Sequence, residues 1–101
     1  KLAIPTAALL TALAVMPAHA NLQLAQKNSC TACHAVDKKL VGPSYVDVAN
    51  KYRNDKGAAA NLAKKVKAGG SGVWGQIPMP ANAQVNEAES KKLVAWILGL
   101  K

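Results

Sequence analysis

The chain has 101 residues, which makes a single domain the default expectation. It carries 13 lysines and arginines against 5 acidic residues, and aromatic residues make up only 4% of it. With so few aromatics and no nucleic-acid-binding motif, this positive charge does not indicate a nucleic-acid partner.

The first 20 residues have the pattern of a secretory signal peptide. Lys1 precedes an Ala/Leu-rich apolar run over residues 2–15, and Ala18-His19-Ala20 forms an A-x-A cleavage site. The run is shorter than the roughly 20 residues that a membrane-spanning helix needs. We therefore expect residues 1–20, incomplete at their start, to be removed after Ala20. The exported, periplasmic domain would be 21–101, and losing Lys1 lowers the formal net charge from +8 to +7.

A short first helix is predicted over Leu22–Asn28, with Asn21 as its N-cap. It leads into Cys30-Thr31-Ala32-Cys33-His34, which has the C-x-x-C-H spacing of a c-type haem attachment site. Residues three and four apart share a face of one helical turn, so both thiols and the imidazole would point the same way. The thiols can then add to the two vinyl groups of a haem, and His34 can reach the iron as its proximal ligand.

Two other interpretations of this motif compete with haem attachment. A C-x-x-C pair can be a thiol–disulfide redox site, but the sequence lacks the strand–helix alternation typical of thioredoxin-like proteins. A zinc site needs four ligands, and the chain has two cysteines and two histidines, of which His19 lies in the segment expected to be removed. Haem is attached outside the cytoplasm, so export and the motif support each other. The redox dithiol remains the main alternative.

The segment after the motif predicts a turn and two helices. Val41-Gly42-Pro43 could offer a backbone carbonyl to the second ring nitrogen of His34, or could be an ordinary turn. Amphipathic helices are predicted over Tyr45–Tyr52 and Ala58–Ala68, and the glycines at 69, 70 and 72 end the second one.

Met79 lies between two prolines, so its segment cannot be helical and presents the side chain from a stiff, extended loop. A methionine is ordinarily a core gap-filler. After removal of residues 1–20, however, Met79 would be the one remaining methionine and His34 the one remaining histidine. His34 and Met79 are therefore the predicted pair of iron ligands. Such ligation raises the reduction potential and closes the sixth coordination position.

A last helix is predicted after Asn86, which can cap it in a capping-box arrangement with Glu89. Its apolar stripe consists of Leu93, Trp96, Ile97 and Leu100. We expect this stripe to pack across the first helix and to bury Trp96. A chain of this length buries a marginal core by itself, and a covalently bound porphyrin can complete that core.

Together these stretches resemble a short class I cytochrome c of the periplasmic, single-haem bacterial type. The resemblance runs through essentially all of residues 21–101. It is carried by C-T-A-C-H at 30–34, V-G-P-S-Y at 41–45, G-V-W-G-Q-I-P-M-P at 72–80 and W-I-L-G-L-K at 96–101. It implies an all-α fold of about four helices around one haem c, which is bound covalently through Cys30 and Cys33 and leaves one edge exposed.

The resemblance also implies how the iron ligands are supported. Pro43 would supply the carbonyl that accepts a hydrogen bond from His34. Asn82 would donate a side-chain hydrogen bond to the Met79 sulfur. Ala81 stands where a second proline is common after the methionine, and this departure would loosen the ligand loop slightly.

Two further residues are implied near the haem propionates. Trp74 would donate a hydrogen bond to a propionate through its indole N–H. Lys65 stands where the family often has an arginine, and lysine offers a point charge instead of a planar fork.

Two functions remain to be compared. The first is a diffusible, monomeric one-electron carrier between respiratory redox proteins, which is not an enzyme. The second is a haem-based small-ligand sensor or a peroxidase-like enzyme with a labile sixth ligand. The sequence favours the carrier, because residues 21–101 offer no second histidine and no acid/base constellation. Lysines around the exposed haem edge would steer the protein to acidic or mixed surfaces of its donor and acceptor.

Overall fold

The chain forms four α-helices and one turn of 3₁₀-helix in a computed structural model, which describes residues 17–101. The elements are α1 (Pro17–Lys27), the 3₁₀ turn (Cys30–Ala32), α2 (Tyr45–Tyr52), α3 (Ala58–Ala68) and α4 (Glu87–Leu98). The all-α prediction is confirmed. The predicted signal peptide at 1–20 lies outside the described residues except for the backbone of its last four, so its cleavage stays a prediction.

Helix α1 begins earlier than the sequence analysis placed it. It starts at Pro17, and Asn21 lies inside it, so the prediction of Asn21 as the N-cap is wrong. Proline suits the first position of a helix, and the alanines that follow have high helix propensity, so no residue there interrupts the helix. The helix stops before Ser29, whose φ of 63° is left-handed.

The bounds predicted for α2 and α3 are confirmed. Ser44 caps α2, because its hydroxyl oxygen accepts a hydrogen bond from the Asp47 N–H at 3.0 Å. Helix α3 ends at Gly69, whose N–H donates to the Lys65 carbonyl oxygen at 2.7 Å. A polar cap thus marks the start of α2, and a glycine marks the end of α3.

Of the two hydrogen bonds in the predicted capping box of α4, the structure contains the one accepted by Asn86. The Asn86 side chain accepts a hydrogen bond from the Glu89 N–H at 2.8 Å. The Glu89 carboxylate, however, forms an ion pair with Lys27 at 3.5 Å. This pair joins the start of α4 to the end of α1.

Helix α4 packs against each of the other three helices and supplies Leu93 and Trp96 to the core. The core cluster consists of Ala25, Tyr45, Val85, Leu93 and Trp96. Trp96 is 9% exposed, which confirms its predicted burial. Among the described helices, none is both long enough and apolar enough to cross a membrane.

Candidate functional site

A cavity of about 470 Å³ lies between Cys33 and His34, the three later helices and the loops before α2 and α4. This volume is within the range of small-molecule and cofactor sites, roughly 300–1,000 Å³. The residues proposed from the sequence that line it are Cys33, His34, Pro43, Lys65, Trp74 and Met79. Four separate segments of the chain thus meet at one cavity.

The 3₁₀ turn sets the spacing of the C-x-x-C-H motif. The backbone N–H groups of Cys33 and His34 both donate to the Cys30 carbonyl oxygen, at 3.1 and 3.0 Å. Both cysteines are free and half-buried. Burial raises the pKa of the Cys30 thiol above its ordinary value, and the neighbouring Cys33 acts in the same direction. Because a redox dithiol works through a thiolate of lowered pKa, this environment argues against the dithiol alternative.

The imidazole of His34 is fixed in one orientation. Its Nδ1 lies 2.8 Å from the Pro43 carbonyl oxygen. A carbonyl only accepts, so Nδ1 donates, and the lone pair of Nε2 is left for a metal. The ring stacks on Tyr45 with centroids 5.3 Å apart, and a Cβ added at Gly42 would lie 2.6 Å from its Cε1. Only glycine therefore fits at position 42.

The loop that follows His34 folds back onto the motif. The Gly42 N–H donates to the Cys33 carbonyl at 2.8 Å, and the Tyr45 N–H donates to the Ala35 carbonyl at 3.0 Å. The start of α2 is thus attached to the residues next to His34, which explains how Tyr45 reaches the imidazole face.

Met79 is held in an extended conformation by backbone pairing. Its N–H donates to the Gly70 carbonyl at 2.8 Å, and the Gly70 N–H donates to the Met79 carbonyl at 3.0 Å. The preceding Gly69 has φ of 72°, and a Cβ there would lie 2.4 Å from the Met79 carbonyl oxygen. The end of α3 therefore comes so close to the Met79 backbone that glycine is required.

The structure uses the Asn82 side chain differently from the expectation. Its Nδ2 donates to the carbonyl oxygens of Val66 at 3.0 Å and Pro80 at 3.3 Å. Hydrogen bonds from residue 82 to the Met79 sulfur are absent from the described part of the chain. An amide nitrogen has two hydrogens, and both are directed at carbonyls, so Asn82 fastens the loop to α3 instead of touching the sulfur.

Trp74 and Lys65 both line the cavity, and each brings a hydrogen-bond donor to it. Trp74 is 43% exposed, and the Lys51 ammonium lies 5.6 Å from its ring centroid, within cation–π range. The Lys65 ammonium lies close to Gly70, where an added Cβ would be 2.9 Å from Nζ. Both groups can meet an acidic substituent of a ligand in the cavity.

Three residues of the site were not identified by sequence reasoning. Tyr45 was predicted only as a helix-face residue, and Gly42 and Gly69 only as turn or helix-ending residues. Their functional contacts are with residues distant along the chain. Only the glycines themselves gave a signal, since a glycine can mark a close approach of backbone.

The side chains present fit a c-type haem. The donor set combines two thiols on one turn, which can form the covalent links, with an imidazole that has a free Nε2 and a thioether, which are the iron ligands typical of cytochromes c. Among residues 21–101, whose side chains the structure describes, no three His, Cys, Asp or Glu side chains are grouped so that they could hold a metal ion by themselves.

Comparison with known proteins gives a consistent result. The cytochrome c family model matches residues 22–101. Cytochrome c-551 of Allochromatium vinosum is 58% identical over 91 residues, which cover 89% of this chain and 97% of the relative. The crystal structure of cytochrome c552 from Nitrosomonas europaea is 55% identical with a TM-score of 0.77, covering 79% of this chain and 99% of that one. The class 1 cytochrome MtoD from Sideroxydans lithotrophicus is 37% identical with a TM-score of 0.70, covering 81% and 94%.

Proposed function

The chain belongs to the cytochrome c family, as a short class I member that carries electrons on one covalently bound haem c, and we propose that His34 and Met79 are its two iron ligands. The haem supplies one reversible electron at its iron. Cys30 and Cys33 hold it covalently. Pro43, Lys65, Trp74 and Asn82 then support the site, the last of them through the loop that carries Met79.

The observation that carries this proposal is the geometry around His34. Because Nδ1 donates to Pro43 at 2.8 Å, the ring can offer only Nε2 to iron, and its tautomer is fixed before any ligand binds. Met79 lines the same cavity and has its backbone pinned to Gly70. A soft, neutral thioether there favours ferrous iron and raises the reduction potential.

A closed sixth position also separates the carrier from the sensor or peroxidase-like alternative. With His34 and Met79 both bound to the iron, no coordination position would be open to oxygen or peroxide. Carbon monoxide added to the reduced protein tests this directly. The carrier resists binding at stoichiometric carbon monoxide, whereas a sensor with a labile sixth ligand saturates.

The proposed location is the periplasm, and the proposed partners are redox proteins with acidic or mixed docking surfaces. At the mouth of the cavity lies an exposed apolar rim of Val41, Val73, Trp74 and Ile77, of which Ile77 is 69% exposed. Exposed lysines elsewhere give the protein its positive charge. Together they suit weak complexes of a monomer, formed with electrostatic steering. Electron-transfer rates with an acidic partner should fall as ionic strength rises, and rates independent of salt would contradict this docking.

The decisive experiment is the absorption spectrum of the ferric protein after maturation with haem in a periplasm. A weak long-wavelength band arises when a methionine sulfur binds ferric iron, and we call it the sulfur–iron band. We expect it in the wild type and expect its loss in Met79→Ala. Ile77→Ala, in the same exposed loop, is the matched control and should keep the band. Covalent haem without the band would favour the sensor or enzyme, and absence of covalent haem would favour the dithiol.

A further inference from the structure

The loop that carries Met79 is fastened to α3 at two places. On one side, Gly70 at the end of α3 pairs with Met79 itself. On the other side, Asn82 donates from its side chain to the Val66 carbonyl at 3.0 Å and from its backbone N–H to the Lys67 carbonyl at 3.1 Å. Residues 71–78, which lie between Gly70 and Met79 in the chain, are exposed at every position. The position of Met79 therefore depends on these two attachments.

Lys67 extends the second attachment with its side chain. It lies in the last turn of α3, and its ammonium donates to the Val85 carbonyl at 2.7 Å. Val85 is 0% exposed, so this carbonyl has no access to water. A buried carbonyl needs a donor, and a charged donor makes a shorter and stronger bond than a neutral one. Lys67 thus contacts the returning segment at two residues, with its own carbonyl and with its ammonium.

This contact separates Lys67 from the other lysines of the helix. Lys64 lies one turn earlier, is exposed, and makes no hydrogen bond or ion pair with the described residues. Lys67 is half-buried, and Val85 belongs to the core cluster together with Tyr45 and Trp96. The Lys67 ammonium therefore connects the loop that carries Met79 to the core. A lysine that served only in docking to a partner would have its ammonium in solvent instead.

We propose that Lys67 is a positioning residue for Met79. Its bond to the Val85 carbonyl holds residues 80–85 against α3 and thereby keeps the thioether at the cavity. The inference rests on the proposed function, because it takes Met79 as the iron ligand. Without the ammonium, the Val85 carbonyl is buried and has no hydrogen-bond donor. This costs free energy in the closed loop and therefore favours a conformation in which the loop opens to water.

The test measures how fast imidazole displaces Met79 from the ferric holoprotein, followed as loss of the sulfur–iron band. Lys67→Met keeps the unbranched apolar stem and removes the donor. We expect displacement about tenfold faster than in the wild type, the change that corresponds to losing one such hydrogen bond. Lys67→Arg keeps a charged donor and should restore most of the wild-type rate.

Two controls separate positioning from general effects. Lys64→Met removes the same charge from the same helix and should leave the rate unchanged. Ser90→Ala removes the buried hydrogen bond from Ser90 Oγ to the Ala63 carbonyl, 2.6 Å long, and weakens the contact between α3 and α4. It should lower the free energy of unfolding without changing the displacement rate.

A second readout does not depend on added ligand. The backbone N–H groups of Met79 and Asn82 are held by the Gly70 and Lys67 carbonyls, so their hydrogen exchange reports opening of the loop. Exchange at Asn82 should accelerate in Lys67→Met and not in Ser90→Ala. Where Lys67→Met fails to accumulate, Lys67→Gln keeps a shorter, neutral donor and is expected to give an intermediate rate.

The outcomes distinguish the inference from the function on which it rests. A wild type with the sulfur–iron band, and equal rates in Lys67→Met and Lys64→Met, overturns the role of Lys67 alone. The same follows if Ser90→Ala accelerates displacement as much as Lys67→Met. If the wild-type holoprotein lacks the band, Met79 is not the iron ligand. That result would overturn both the proposed ligation and the proposed role of Lys67.

Discussion

The two sides of the cavity that carry the proposed iron ligands, the histidine side and the methionine side, are built in different ways. On one side, His34 is in contact with the core, because it stacks on Tyr45, and Tyr45 meets Trp96 edge-on at 5.4 Å. On the other side, Met79 is carried by a loop whose residues 71–78 are exposed and whose attachments are hydrogen bonds at its ends. The histidine side is held by packing, and the methionine side is held by a few polar contacts.

This difference determines which side opens first. Opening the histidine side exposes the buried rings of Tyr45 and Trp96, whereas opening the methionine side breaks hydrogen bonds near residues that are already exposed. We therefore expect ligand exchange at the iron to occur on the methionine side. The following substitutions test that asymmetry, beginning with the largest expected effect.

Gly69→Ala should separate the loop that carries Met79 from the end of α3. The added Cβ meets the Met79 carbonyl oxygen at 2.4 Å and the φ of 72° is strained for alanine, so we expect a loss of about 3 kcal/mol in the free energy of unfolding. The sulfur–iron band should weaken at the same time. Denaturant unfolding and the ferric spectrum measure the two effects.

Gly72→Ala is the matched control for that substitution. Gly72 also has a positive φ, 104°, but an added Cβ there meets nothing within 4 Å. It should cost about 1–2 kcal/mol from backbone strain and leave the band intact. Equal effects of the two substitutions would show that the close approach to Met79 does not matter.

Gly42→Ala tests whether the histidine side is as rigid as its packing indicates. The added Cβ would lie 2.6 Å from His34 Cε1, and Tyr45, which stacks on the ring, blocks movement of the ring toward α2. We expect a loss of about 2 kcal/mol in the free energy of unfolding and faster exchange of the His34 Nδ1 proton, measured by NMR. Gly57→Ala, whose Cβ would meet its neighbours at ordinary distances, should be tolerated. A stable Gly42→Ala protein with slow Nδ1 exchange would refute the rigidity.

Tyr45→Phe tests the burial of Tyr45 on the histidine side through the pH dependence of the free energy of unfolding. Burial raises the pKa of Tyr45 well above its ordinary value. Above pH 10 the unfolded chain releases the Tyr45 proton while the folded chain keeps it, so the unfolded state is favoured as pH rises. Between pH 10 and 11 the wild type should lose up to about 1.4 kcal/mol more stability per pH unit than Tyr45→Phe. Tyr52→Phe, a half-exposed ring, is the control, and an equal change there would contradict burial as the cause.

Ser29→Gly should produce the smallest change in stability, and this change should be an increase. Ser29 directly precedes Cys30 with φ of 63°, and it is the one non-glycine residue with a positive φ between residues 17 and 101. Glycine removes the strain but loses more conformational freedom on folding, which leaves a net stabilisation of about 0.5 kcal/mol. Thermal unfolding measures it. Ser71→Gly should destabilise the protein instead, and a loss of stability in Ser29→Gly would show that the strain is absent.

The predictions that succeeded from sequence are those that depend on local chemistry. The bounds of α2 and α3 were predicted from the spacing of apolar residues and from the glycines at the end of α3, and these signals act within a few residues. The start of α1 was wrong because Asn21 can cap a helix but does not have to, and the alanines before it also favour helix. Asn82 was assigned to the Met79 sulfur, whereas the position of α3 directs its amide to the Val66 carbonyl.

The sequence by itself determined the donor set of this protein. Two thiols, one imidazole and one thioether at their spacings indicate a c-type haem, because their chemistry is a property of the residues. Only the tertiary structure decided how each donor is held. Pro43, Tyr45 and Gly42 confine His34, and Gly69, Asn82 and Lys67 confine the Met79 loop, through contacts that close loops of the chain. Such contacts depend on how each loop packs back onto the motif or onto α3, and no local pattern of residues specifies that packing.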